Sequence, residues 1–196
     1  MIAPLFRLGL RLALASVICS SVAGATSATP TARLLEAALH GNLQEIRRAV
    51  QDGAEINARN ANGDTALSLV AKLSYYNVVR FLVEQGAEVN VANHDRITPL
   101  HWGVEYNNVR IVKLLLEKGA DVHATDKIQE TPLHWAGWTG SLEAAKLLLD
   151  YGANPYAGNN TGVTPIFNAQ RQEHTELHEL LTREEYRRKF KPDATR

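Results

Sequence analysis

Cysteine is nearly absent. The 196 residues hold one, Cys19, and one methionine. No apolar run approaches the roughly 20 residues a membrane-spanning helix needs; the apolar, small-residue run from Leu12 to Ala25 has 14. Net charge is also missing, with 21 basic against 21 acidic residues. That excludes a nucleic-acid binder held by overall positive charge. Catalytic signatures are lacking too: there is no nucleophile elbow, no Gly-rich phosphate loop and no HExxH. A non-enzyme without a cofactor is therefore expected. What remains is 45% hydrophobic residues, enough for one substantial core.

The first 25 residues differ from the rest. MIAPLFRLGLR carries two arginines and no acid, LALASVICSSVAGA follows, and Ala23-Gly24-Ala25 closes it. A basic start, a short apolar run and an A-x-A exit read as a secretory signal peptide cleaved after Ala25. An uncleaved anchor is the alternative. Ile18 before Cys19 is a poor fit to a lipoprotein site. Cleavage removes Cys19, so the mature chain suits an oxidising compartment without disulfides or a stray thiol. The expected destination is export, to the periplasm first and the exterior second, without stable membrane insertion.

Beyond the leader and a short linker (26–30), the chain repeats. Thr65, Thr98, Thr131 and Thr164 lie 33 apart, and so do Leu67, Leu100, Leu133 and Ile166. Gly53-Ala54, Gly86-Ala87, Gly119-Ala120 and Gly152-Ala153 keep the same step. The phrase TPLHW occurs twice, at Thr98 and Thr131. Thr-Pro suits a helix start, where the Thr oxygen caps free N–H groups and Pro fits the first turn. A second helix follows with apolar spacing, as in Ile111, Val112, Leu114 and Leu115. The Gly after it suits a left-handed cap. A unit of this size cannot bury its apolar face alone, so neighbours must stack.

A 33-residue period with TPLH and a later LLxxGA resembles the ankyrin repeat, over about Thr31 to Leu181. The resemblance implies an all-α solenoid of about five helix-turn-helix units joined by β-turn or hairpin loops, spanning 31–182. The units are 27–59 (an N-terminal cap), 60–92, 93–125, 126–158 and 159–182 (a C-terminal cap). A charged tail, 183–196, follows. The second helix of the last unit, from about His174, is expected to continue into LTREEYRRKF. Ala66 replaces Pro in the second unit, Tyr75-Tyr76 stands at its usual Gly-polar turn, and Asn107 takes that turn in the third.

The resemblance also implies a concave binding face along the inner helices. Leu69, Leu73, Trp102, Tyr106, Trp135 and Trp138 fall on a stripe there, with Glu105 beside Tyr106. Trp and Tyr are enriched in binding hot spots. Two readings of Trp102 and Trp135 stand open, groove anchors or packing between helices. The turn tips flank the same face and carry Asn62 and Asp64, then His94, Asp95 and Ile97, then Lys127, Ile128 and Glu130. His101 and His134 are expected to hydrogen-bond along the loops rather than hold a metal. His174 and His178 share a helical face without an evident third ligand.

These features predict a monomer that binds a partner protein in its groove and no nucleic acid. Exported ankyrin proteins of this layout resemble those associated with catalases or secreted toxins, which implies a stabilising factor or an immunity protein. A secreted effector acting on a host protein and a sugar or peptide binder are the alternatives. The C-terminal run from Thr182 holds six basic and three acidic residues, read as a solvated helix end.

Overall fold

The computed structural model describes residues 29–190; the proposed signal peptide and residues 191–196 lie outside them. Among the described residues there are eleven helices and no strand. Five pairs run along the chain: α1 (Pro30–Leu39) with α2 (Leu43–Gln51), α3 (Ala66–Lys72) with α4 (Tyr76–Glu84), and α5 (Pro99–Glu105) with α6 (Val109–Glu117). Then come α7 (Pro132–Thr139) with α8 (Leu142–Asp150), α9 (Pro165–Arg171) with α10 (Thr175–Leu181), and a last short α11 (Glu184–Phe190). The first helices of the pairs pack consecutively as one layer, and α4, α6, α8 and α10 pack consecutively as another. The all-α solenoid is as expected.

Of three columns of left-handed residues, one (Gly63, Arg96, Gln129, Gly162) lies in the hairpin tips and two turn the chain at the helices. Gly53, Gly86, Gly119 and Gly152 end the second helices. Gly41, Ser74, Asn107, Gly140 and Glu173 turn the chain between the helices of each pair, again 33 apart. The turn expected at Tyr75-Tyr76 falls one residue earlier, with Ser74 at φ 63° and Tyr75 at the N-cap of the next helix.

Core packing is continuous. Leu34, Leu67, Leu100 and Leu133 are fully buried in the inner layer, and Ile46, Leu82, Leu115 and Leu148 in the outer one. The TPLH histidines tie one unit to the next. His101 Nδ1 accepts the Thr98 N–H at 3.2 Å, and its Nε2 donates to the Glu130 carbonyl at 3.2 Å. His134 repeats this with Thr131 (3.1 Å) and Val163 (3.0 Å).

The hairpin loops are built on a second recurrent device. Asn60, Asn93, Asp126 and Asn159 each accept two loop N–H groups with Oδ1, two and four residues on. In the last three the other side-chain atom is also used. Asn93 Nδ2 donates back to Asp64 Oδ1 (2.9 Å), and Asn159 Nδ2 to Glu130 Oε1 (3.3 Å). Asp126, which has no donor and follows Ile97, instead accepts the Trp135 indole N–H with Oδ2 at 3.2 Å. Backbone bonds from His94 N to Asn62 O, Lys127 N to Asp95 O and Asn160 N to Ile128 O join the tips.

The C-terminal end corrects one expectation. The helix from His174 does not run on through LTREEYRRKF. It stops at Thr182, whose hydroxyl donates to the His178 carbonyl at 2.9 Å. This satisfies a helix-end carbonyl locally and lets a separate helix, α11, begin at Glu184. Among the described residues no helix is long and apolar enough to cross a membrane.

Candidate functional site

A groove of about 1010 Å³ runs along the C-terminal ends of α5, α7 and α9 and under the hairpin tips that follow them. Five of the expected site residues line it: Glu105, Tyr106, Ile128, Glu130 and Trp138. Tyr106 and Ile128 are each 47% exposed. Trp138 is half-buried and firmly placed. Its indole N–H donates to Glu130 Oε1 at 3.1 Å, its backbone carbonyl bonds His174 Nε2 at 3.3 Å, and the Arg171 guanidinium lies 5.9 Å from its ring. A rigid aromatic side chain offers contact area at small entropic cost.

Five expected site residues turn out differently. Trp102 and Trp135 are only 5% and 4% exposed, and Leu69 is also buried. Neither tryptophan lines the groove; they pack against each other between neighbouring inner helices. The two rings meet edge to face, 5.6 Å between centroids at 79°, and His101 packs against Trp135 at 5.1 Å. So the open question on these tryptophans resolves to packing. Glu130, expected at an exposed tip, is 2% exposed because Trp138 and Asn159 hold its carboxylate down. Ile97, expected at an exposed tip as well, is half-buried against the core.

The remaining expected residues sit away from this groove's lining. Leu73 is half-buried at the end of α3, and His94, Asp95 and Lys127 are exposed on the tips. Lys127 Nζ pairs with Asp95 at 2.7 Å. Sequence reasoning missed Asn159, Asn168, Arg171 and His174, which also line the groove. The period itself could have found Arg171. Lys72, Glu105, Trp138 and Arg171 lie 33 apart and form one column at the ends of the inner helices.

Glu105 is the exception in that column. Lys72 lies 4.5 Å over the Trp102 ring, and Arg171 caps Trp138. Glu105 ends α5, where the helix dipole disfavours a negative charge. Among the described residues it makes no ion pair, and its Oε2 is buried without a hydrogen-bond partner. His174 is committed to the Trp138 carbonyl, and no group of three or more metal-ligating side chains occurs among the described residues.

A family model of ankyrin repeats in three copies matches residues 34–126 and again 123–193. The chain belongs to the ankyrin-repeat family. Ankyrin-repeat proteins are generally non-catalytic modules for protein–protein interaction, and the groove lies where inner helices and hairpin tips of this ankyrin stack converge. A comparison with the curated proteins finds no match.

Proposed function

We propose that this ankyrin protein is a dedicated, non-catalytic binder that holds one partner protein in the groove of its third to fifth units. The observation that carries the reading is the pairing of an exposed Tyr106 and Ile128 with a Trp138 already fixed in place. Preorganised aromatic groups flanked by polar rims are what protein hot spots use. The basic leader, its apolar run and the Ala23-Gly24-Ala25 exit support export, with the mature chain starting at Thr26 and working in the periplasm as a stabilising or inhibitory factor for that partner.

Co-purification from the native host, with the full-length chain tagged at its C-terminus, tests this reading. The expected result is one dominant partner in the periplasmic fraction, lost with the Tyr106→Ala, Trp138→Ala variant, and a bait whose N-terminal sequence begins at Thr26. A partner retained in full by that variant would move the binding surface elsewhere. A bait beginning at Met1 would sink the export.

A further inference from the structure

The inference rests on the groove being the binding face and concerns what it accepts. We infer that the groove recognises an extended partner segment through one lysine or arginine side chain, which lies against Tyr106 and pairs with Glu105.

Three observations converge on Glu105. Its carboxylate is half-buried in the groove wall with one oxygen covered and unpartnered. Shielding a charge from water without a compensating cation is costly. It also stands at a helix C-terminus, where basic residues are favoured and where the same column supplies Lys72 and Arg171. The two cations of that column lie over neighbouring rings, Lys72 over Trp102 and Arg171 over Trp138. An acid with no ion-pair partner among the described residues, beside an exposed tyrosine, has the layout of a cation acceptor: carboxylate for the charge, ring face for the alkyl stem and head group. The second nearby acid, Glu130, does not compete, because it already accepts from Trp138 and Asn159.

The test is a selection of random nine-residue peptides displayed on phage against the mature protein, followed by affinity measurements on the winning peptides. The expected result is a shared lysine or arginine at one position. Its replacement by norleucine, or Glu105→Gln in the protein, should weaken binding at least tenfold while the melting temperature of the variant holds. Glu105→Lys should restore binding to a peptide carrying glutamate at that position. Peptides that need Tyr106 and Trp138 but ignore Glu105→Gln would overturn the cation pairing and leave the groove reading intact. Peptides indifferent to all three residues, or no selected peptide, would overturn both.

Discussion

One oxygen decides how two equivalent tryptophans are held. Trp102 and Trp135 occupy the same place in successive units, yet only Trp135 has an acceptor for its indole N–H, the Oδ2 of Asp126. The matching residue at 93 is Asn, whose second atom is a donor already given to Asp64, and Trp102 Nε1 is left buried without a partner. Replacing each tryptophan by phenylalanine removes similar volume, so the difference isolates the hydrogen bond. Trp135→Phe should be less stable than Trp102→Phe by about 1 kcal/mol in urea titrations, since it strands a buried acceptor. His134 supplies a second prediction. Burial, the largest influence, holds its imidazole below the ordinary 6.5, against the opposing pull of the Val163 carbonyl, Glu130 and Asp126. The unfolded chain then takes up a proton at a pH where the folded one does not. Stability should be full above pH 6.5 and fall as pH drops from there toward the lowered folded value. In His134→Gln, melting curves from pH 8 to 5 should show a shallower decline.

At the scale of helices and turns, the regularity that named the fold was written in residues whose backbone demands are strict. Thr-Pro starts, Gly-Ala ends and buried leucines admit few substitutes, so their 33-residue spacing showed the repeat and its paired helices. The Gly column makes this testable. A methyl group added at Gly119 would meet nothing within 4 Å, yet its φ is 83°. Gly119→Ala should therefore cost roughly 1 kcal/mol by chemical denaturation, from backbone strain alone. The candidate site was less legible. Period alone put Trp102, Trp135 and Leu69 on the inner helices but could not say which side of each helix the neighbouring helix covers. The burial of Glu130 depends on Asn159, 29 residues away and in another unit, a partnership no local pattern reveals. The stop at Thr182 was hidden because LTREEYRRKF is a good helical sequence throughout.

At the scale of the whole stack, stability accrues from neighbour contacts rather than from any unit alone. α11 buries no residue completely, so a chain ending at Thr182 should melt within a few degrees of the full one. A chain ending at Gly158 loses α9, the carbonyl that receives His134, and the cover over α7. Its melting temperature should fall by about 10 °C or more, at roughly 2–4 °C per kcal/mol for a protein of this size; far-UV circular dichroism would follow both. The hairpin ladder also gives the units a fixed order. Asn93 fits behind Asp64, and Asn159 behind Glu130, because each amide donor meets a carboxylate. Excise residues 93–125 by recombination and the reading frame of the fold survives, but Asp126 arrives opposite Asp64, acid facing acid. Excise 126–158 and Asn159 arrives behind Ile97, its amide with nothing polar to meet. Units that look interchangeable by their helices are thus spelled to follow one particular predecessor, and a shuffled array of these same five would be a poorer protein than its repeat pattern promises.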